Sequence, residues 1–158
     1  MIIEQKGTDN MNYTEQANEV LRIAKAAAKE LHHPYVGTEH LLLGLRKVYT
    51  GVAGQVLAAN GLEEENIYKV VDELISPVGD VTFKESPEFS PRLSYILNES
   101  VNEALRLGSD EIGTEHMLLA MLKEVDCVAT RILITLNINI QKIFQEILNV
   151  TGVDVKEY

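Results

Sequence analysis

Apolar residues recur at spacings of three and four near the start of the chain, and this spacing is typical of one face of an amphipathic helix. They are Ala17, Val20, Leu21, Ala24, Ala28 and Leu31. Thr14, just before them, is a residue type favoured at helix N-caps. Pro34, just after them, lacks a backbone N–H and disfavours the helical conformation in the residue before it. The pattern therefore predicts a first helix over residues 14–31.

A second helix is predicted to begin at Gly37-Thr38, with Thr38 as its N-cap and Glu39 in its first turn, where a carboxylate complements the helix dipole. Leucines occupy positions 41, 42, 43 and 45, so this helix is apolar over most of its surface and is expected to lie in the core. Gly51 marks its predicted end. Two further helices are predicted after it, at residues 52–59 and 63–75.

The whole pattern recurs in the second half of the chain. The tetrapeptide Gly-Thr-Glu-His begins at residue 37 and again at residue 113, and the flanking apolar positions keep the same offset of 76 residues without a gap. Repetition at one fixed offset indicates two homologous structural units. Ser90 and Pro91 are a typical N-cap and first helical residue. The second unit is predicted to contain four helices, at residues 91–107, 114–124, 128–136 and 140–148.

These elements predict an all-α fold of eight helices, arranged as two pseudo-symmetric tandem four-helix repeats. A chain of 158 residues is long enough for two such units to share a core. The predicted organisation is a flexible leader (1–12), a first repeat (13–75), a linker (76–89), a second repeat (90–150) and a C-terminal tail (151–158) that frays. No segment of the chain has the pattern of a β-sheet.

Composition and charge narrow the classes of protein that fit. With 14 Lys and Arg against 24 Asp and Glu, the formal net charge is −10, which opposes binding to nucleic acid or anionic lipid and suits a basic partner. Cys127 is the only cysteine, so no intrachain disulfide can form. The chain has no apolar run of 18 residues and no signal-peptide pattern, so we expect a soluble, cytoplasmic protein with no membrane partner.

The repeated Glu-His pair raises the question of metal binding or acid–base catalysis. Two ligands on one helix face need a spacing such as i, i+4, whereas Glu39-His40 and Glu115-His116 are adjacent and are expected to point in different directions. Cys127 and His32-His33 add no recognisable ligand spacing. The chain also lacks a nucleophile motif and a glycine-rich phosphate loop. We therefore expect no metal site, no cofactor and no catalytic residues.

Two interpretations of the tetrapeptide are open. In the first it only starts a helix: the threonine caps, the glutamate complements the dipole, and His40 and His116 are buried against neighbouring helices. In the second it is a recognition site, in which first-turn N–H groups attract an anion while the carboxylate binds a guanidinium through paired hydrogen bonds. Phosphoarginine carries both charges on one side chain. Lys84, Arg92 and Arg106 are basic residues that could assist with its phosphate, and none of them is assigned to it.

The two tetrapeptides and the apolar residues after them, Leu-Leu-Leu-Gly-Leu in the first copy and Met-Leu-Leu-Ala-Met-Leu in the second, resemble the double Clp N-terminal domain, and the ClpC type more than the ClpA or ClpB type. The resemblance covers residues 13–150. It implies the non-catalytic docking domain of a Hsp100 AAA+ unfoldase that feeds the ClpP protease, with protein substrates and adaptors of the MecA and McsB kind as partners. ATPase activity would belong to modules absent from this chain, which has no Walker motif.

The resemblance also implies the site residues. In ClpC-type domains the glutamate of each tetrapeptide is associated with phosphoarginine, the mark that directs substrates to degradation. Glu39 and Glu115 would therefore bind this ligand, with Thr38 and Thr114 beside them.

Two features depart from the family pattern. Family members commonly carry a Gly-Glu-Gly-type turn before the third helix of each repeat, whereas Tyr49-Thr50-Gly51 keeps one glycine and Val125-Asp126-Cys127 keeps none. The loop before the second tetrapeptide, Ser109-Asp110-Glu111, is acidic and would repel a phosphate next to Glu115. Two alternatives to a ClpC-like receptor are a stand-alone double-domain adaptor protein and a structural helical protein whose tetrapeptides only cap helices.

Overall fold

The structure, a computed structural model, describes residues 11–74 and 86–152. The predicted leader up to residue 10, residues 75–85 at the end of the predicted fourth helix and in the linker, and the tail from residue 153 lie outside the described residues. Within the described ranges the chain forms eight helices, which confirms the predicted all-α fold. They are α1 (Glu15–Glu30), α2 (Thr38–Lys47), α3 (Val52–Ala59), α4 (Glu64–Leu74), α5 (Pro91–Arg106), α6 (Thr114–Leu122), α7 (Val128–Thr135) and α8 (Ile140–Thr151).

The first helix of each repeat starts as its capping residues predict. Thr14 Oγ1 accepts a hydrogen bond from the backbone N–H of Ala17 at 3.1 Å, and Ser90 Oγ accepts one from the N–H of Leu93 at 3.1 Å. Pro91 begins α5, where its missing N–H leaves no helical hydrogen bond unmade. Both predicted N-caps are confirmed.

Helices α1 and α5 end in the same way at pseudo-equivalent positions. His32 and Gly108 take left-handed conformations, with φ angles of 58° and 76°. The N–H of His33 then bonds to the carbonyl oxygen of Ala28 at 2.9 Å, as in a Schellman motif. This turn, together with Pro34, ends α1, and it fixes the backbone position of His33.

Three helix ends differ from the prediction by two residues or more, and one of them is that of α6, which ends at Leu122 rather than at residue 124. Helix α2 ends at Lys47 rather than near Gly51, because Val48 leaves the helical region with a ψ angle of 75°. Helix α8 continues to Thr151 and ends at Gly152, whose left-handed φ angle of 80° suits a residue without a Cβ atom.

Four two-residue strands join the repeats, and the sequence pattern did not predict them. β1 (Asn12–Tyr13) pairs in parallel with β4 (Glu111–Ile112), and β3 (Glu88–Phe89) pairs in parallel with β2 (Tyr35–Val36). Each pair links the segment before the first helix of one repeat to the segment before the second helix of the other. Asn12 of the predicted leader and Glu88–Phe89 of the predicted linker therefore lie in strands.

Helices α2 and α6 lie at the centre of the core, as predicted for the leucine-rich second helix. Helix α1 packs on α2 and α5 packs on α6, while α2 contacts α7 and α3 contacts α6 across the repeats. The two repeats consequently share one hydrophobic core. Its fully buried large side chains include Leu41, Leu42, Leu45, Leu57, Ile67, Leu93, Ile96, Met117, Leu118 and Leu119. Across the part of the chain that is described, no helix has the length and apolar character needed to span a membrane.

Candidate functional site

The tetrapeptides begin α2 and α6, and in both of them the glycine is the N-cap. The backbone N–H of Gly37 donates a hydrogen bond to Nδ1 of His40 at 2.8 Å, and the N–H of Gly113 donates one to Nδ1 of His116 at 2.8 Å. The histidine at the third helical position thus takes the part that Glu or Gln plays in a capping box. Both histidines are buried, which confirms the expectation for His40 and His116.

Thr38 and Thr114 are not the N-caps of their own helices, and that prediction is wrong. Thr38 Oγ1 accepts a hydrogen bond from the N–H of Ala129, in the first turn of α7, at 3.1 Å. Thr114 Oγ1 accepts one from the N–H of Ala53, in the first turn of α3, at 3.2 Å. Both threonines are buried. Each hydroxyl therefore caps the third helix of the other repeat.

The Glu39 carboxylate folds back over the glycine before its helix. A Cβ atom on Gly37 would overlap Oε1 of Glu39, so the absence of a side chain at residue 37 makes room for the carboxylate. Only 9% of Glu39 is exposed. Burial raises the pKa of its carboxyl, and a hydrogen bond from its own backbone N–H opposes that rise. Among the residues that the structure describes, no lysine or arginine pairs with Glu39.

Glu115 has the same geometry in the second repeat. Its Oε1 atom occupies the space that a Cβ atom on Gly113 would need. Glu115 is half-buried and so more exposed than Glu39. The fold therefore places the two predicted ligand-binding glutamates at equivalent helix starts.

A second histidine, His33, contacts the first tetrapeptide. Its Nδ1 atom lies 2.8 Å from Nε2 of His40. Because Nδ1 of His40 accepts the Gly37 N–H, a neutral His40 carries its proton on Nε2 and donates it to His33. Burial first, and the neighbouring His33 second, lower the pKa of His40 to about 3, so His40 is neutral near pH 7. A hydrogen-bond relay thus runs from the N–H of Gly37 to His40 and from His40 to His33, and each member donates to the next.

The same residues form a candidate metal-binding group, contrary to the expectation drawn from spacing. One ligand atom each from His33, Glu39 and His40 lie within 4.8 Å of one another. Sequence spacing missed the group because its third member comes from the turn after α1. A metal on Nε2 of His40 would force its proton to Nδ1, facing the Gly37 N–H, whereas metal-bound histidines donate from their other nitrogen to an acceptor. This donor pattern suits the relay better than a metal ion.

The second repeat replaces the relay with charged groups. Ser109 stands where the first repeat has His33, and its hydroxyl donates to the carbonyl oxygen of Glu111 at 2.7 Å. Glu103 stands where the first repeat has Ala27, and it is buried with 2% exposure. Burial lowers the pKa of the His116 imidazole, and the charges of Glu115 and Glu103 oppose that shift. Carboxylates, rather than a second imidazole, therefore act on the buried histidine of the second repeat.

The basic residues considered for a phosphate have protein partners. Arg92 Nη1 lies 2.8 Å from Oε1 of Glu124, and Arg106 Nη1 lies 3.0 Å from Oε2 of Glu103. Lys123 Nζ, which sequence reasoning did not consider, also lies 2.7 Å from Oε2 of Glu103. Lys84 lies outside the described residues.

Sequence reasoning missed His33 and Glu103 as parts of the two sites. Alignment of the repeats carried the signal, because Ala27 faces Glu103 and His33 faces Ser109 at the common offset. The two sites differ at these two positions. One is charged in the second repeat and apolar in the first, and the other is a histidine in the first repeat and a serine in the second.

Comparison with known proteins finds a family model and a curated relative that match this chain. A family model described as the Clp repeat (R) N-terminal domain matches residues 12–136. The negative regulator of genetic competence ClpC/MecB of Bacillus subtilis is 37% identical over 140 residues, which cover 89% of this chain and 17% of that protein. The chain thus spans about a sixth of the length of this curated relative.

Solved structures share the fold at lower sequence identity. The N-terminal domain of the chaperone ClpD from Arabidopsis thaliana superposes with a TM-score of 0.74 at 22% identity, over 89% of this chain and 95% of that one. A ClpV N-domain in complex with a VipB peptide superposes with a TM-score of 0.69 at 22% identity, over 89% of this chain and 88% of that one. These likenesses concern the arrangement of the helices.

Proposed function

The chain belongs to the Clp repeat N-terminal domain family, and from this premise we propose that it is the substrate- and adaptor-binding domain of a ClpC-like ATP-dependent unfoldase. In this role it binds proteins and catalyses no reaction itself. Unfolding would be driven by ATPase modules outside this chain, and degradation by the ClpP protease that the unfoldase feeds.

The proposed ligand is phosphoarginine on marked substrates. One observation carries this proposal: Glu39 is a buried carboxylate at a helix N-terminus with no lysine or arginine partner among the described residues. A buried carboxylate without a cation beside it is costly, and a bound guanidinium would compensate its charge with paired hydrogen bonds. A helix N-terminus also attracts the anionic group that phosphoarginine carries next to its guanidinium.

Glu115 is the equivalent residue in the second repeat, and we propose it as a weaker site. It folds over Gly113 as Glu39 folds over Gly37, but Asp110 and Glu111 add negative charge in the loop before it. Thr38 and Thr114 position the sites, since each hydroxyl accepts a hydrogen bond from a first-turn N–H of a helix in the other repeat.

Adaptor proteins of the MecA and McsB kind are the second proposed class of partner. The net charge of −10 favours a basic docking surface on such a partner. The ClpV N-domain that shares this fold is described in complex with a VipB peptide, which supports a peptide-binding role for the fold.

Calorimetric titration of phosphoarginine into the chain tests the proposed ligand, with arginine and phosphoserine as controls. We expect saturable binding of phosphoarginine, and its loss in a variant that combines Glu39→Gln and Glu115→Gln. Glutamine keeps the side-chain volume and removes the charge, so the helical circular dichroism should not change. Wild-type affinity in this double variant would remove both glutamates from the site.

A purely structural role for the tetrapeptides is the second candidate function. The capping bonds made by His40 and Thr38 favour it, because they explain two of the four residues without any ligand. They do not explain the buried Glu39 carboxylate. No binding at millimolar phosphoarginine, with intact folding, would favour this structural role.

A further inference from the structure

The relay in the first repeat ends in a hydrogen-bond donor on a half-buried residue. His33 Nδ1 accepts the proton from Nε2 of His40, so a neutral His33 carries its own proton on Nε2. The two nitrogens of an imidazole direct their bonds apart, and the bond to His40 points inward because His40 is buried. His33 itself is half-buried. Within the described ranges, its Nε2–H has no protein acceptor.

We infer that His33 is a specificity-determining residue of the first site, where its Nε2–H donates a hydrogen bond to the phosphoryl group of phosphoarginine while Glu39 holds the guanidinium. This inference rests on the proposed function. A ring nitrogen of His33 lies within 4.8 Å of a Glu39 carboxylate oxygen. The phosphoryl group of phosphoarginine is bonded directly to a guanidinium nitrogen, so a donor for it must lie within a few ångströms of the carboxylate. The two nitrogens of one imidazole are close enough together for Nε2 of His33 to meet this requirement, whichever of them makes the approach to Glu39.

The relay also strengthens this donor. In a chain of hydrogen bonds each bond polarises the next. The Gly37 N–H is one of the first amides at the N-terminus of α2, where the helix dipole is positive. Through His40, the amide at the start of α2 therefore makes the Nε2–H of His33 a stronger hydrogen-bond donor. No charged side chain is needed for this effect.

Two acidic groups surround His33, and they set a limit on its affinity for an anion. Glu39 is next to it in the site, and the negative charge of Asp72, on α4, opposes the lowering of its pKa by burial. A guanidinium neutralises Glu39 in the complex. Asp72 is exposed, so solvent and salt screen its charge.

The second repeat lacks this outward donor. His116 accepts the Gly113 N–H in the same way, but the buried Glu103 is among the charges that face it. Ser109, in place of His33, uses its hydroxyl on the backbone of Glu111. The first site should therefore discriminate phosphoarginine from arginine, and the second should discriminate poorly.

Titration of phosphoarginine and arginine into variants that carry Glu115→Gln, which silences the second site, tests this inference. His33→Ser gives the first repeat the residue of the second, and we expect it to weaken phosphoarginine binding about tenfold or more, as for a lost hydrogen bond to a charged group. Arginine binding should be unchanged.

Asp72→Asn should strengthen phosphoarginine binding, by a smaller factor than the one by which His33→Ser weakens it. His32→Asn is the matched control, since asparagine tolerates the left-handed conformation of residue 32, and it should bind as the parent does.

The outcomes separate this inference from the proposed function. If the parent binds phosphoarginine, Glu39→Gln abolishes binding and His33→Ser keeps the preference over arginine, the function stands and the role of His33 is overturned. If the parent binds no phosphoarginine, both are overturned. Nitrogen-15 NMR of the imidazoles gives a further readout without ligand: a proton on Nδ1 of His33 would overturn the relay, and a proton on Nε2 that shifts on phosphoarginine binding would support it.

Discussion

Thr38 Oγ1 accepts a hydrogen bond from the backbone N–H of Ala129, 91 residues further along the chain. Thr114 makes the equivalent bond to Ala53 in the opposite direction. These bonds tie each tetrapeptide to the third helix of the other repeat, and the two strand pairs join the segments before the tetrapeptides to the segments before the first helices. The two sites are consequently products of the whole domain, and one repeat alone would leave its first-turn amides uncapped.

Replacement of either threonine by valine should destabilise both repeats together. Thr38→Val keeps the shape of the side chain but leaves the Ala129 N–H without its acceptor, and loss of a helix cap costs about 0.5–2 kcal/mol. Urea denaturation followed by circular dichroism should give one cooperative transition with a lower midpoint. Thr38→Ser, which keeps the hydroxyl, should lose less. Equal midpoints for valine and wild type would show that the cap contributes nothing.

Substitution of Gly37 by alanine should affect binding more than stability. The φ angle of −107° allows any residue, and such a change normally stabilises by about 0.4–1 kcal/mol. Here the new methyl group takes the place of Oε1 of Glu39 and displaces the carboxylate. We expect loss of phosphoarginine affinity by calorimetry.

The matched test of this mechanism is a double-mutant cycle measured by urea denaturation. In the Glu39→Ala background the space over residue 37 is empty, so Gly37→Ala should there give the full stabilisation. A stabilisation that is the same in both backgrounds would contradict a clash with Glu39.

The stability of the domain should fall on acidification because His40 is buried and neutral. Its folded-state pKa of about 3 lies below the unfolded value of 6.5, so between these values the unfolded state binds more protons. Stability is therefore greatest above pH 6.5 and falls as the pH is lowered toward 3, by up to about 1.4 kcal/mol per pH unit. Burial lowers the pKa of His116 in the same sense. The pKa of Glu39 is raised, so at pH values just above the ordinary pKa of a glutamate the folded state binds more protons than the unfolded state. In that range Glu39 opposes the loss of stability on acidification.

His40→Gln isolates the histidine contribution. Glutamine at the third helical position can still accept the Gly37 N–H, but it does not titrate, while Glu39 is present in both proteins. Unfolding free energies measured between pH 7 and pH 5 should show a shallower slope for the variant. Identical slopes would mean that His40 is not the group that takes up the proton.

Local features were predictable from the sequence, and contacts between distant residues were not. The bounds of α3 follow from Gly51 before it and Asn60-Gly61 after it, and the repeat offset revealed both tetrapeptides. The Thr38–Ala129 bond has no local signature, so the threonine was predicted to cap its own helix. The strands have two residues each, too few for an alternating pattern to be recognised.

The candidate site was also predictable from the sequence only in its local features. Glu39 and Glu115 could be named from the motif, and the burial of His40 and His116 could be predicted from their place in the first turn of an apolar helix. The contact of His33 with His40 depends on the left-handed turn at His32, which brings the chain back over the start of α2. No spacing rule along the sequence encodes that contact.

The buried Glu103 leads to a last prediction. Removal of the Glu103 carboxylate should lower the free energy of unfolding less than removal of its partner Lys123 does. Lys123 and Arg106 both contact Oε2 of Glu103. Lys123→Met takes one cation from a carboxylate that is 2% exposed, and an undercompensated buried charge is expected to cost about 2 kcal/mol. Glu103→Ala removes the buried charge itself, and Ala27 shows that the repeat accepts alanine there. Urea denaturation should therefore give a smaller loss for Glu103→Ala than for Lys123→Met, and the double variant should resemble Glu103→Ala. A larger loss for Glu103→Ala would mean that the ion pairs stabilise the fold beyond the cost of burying them.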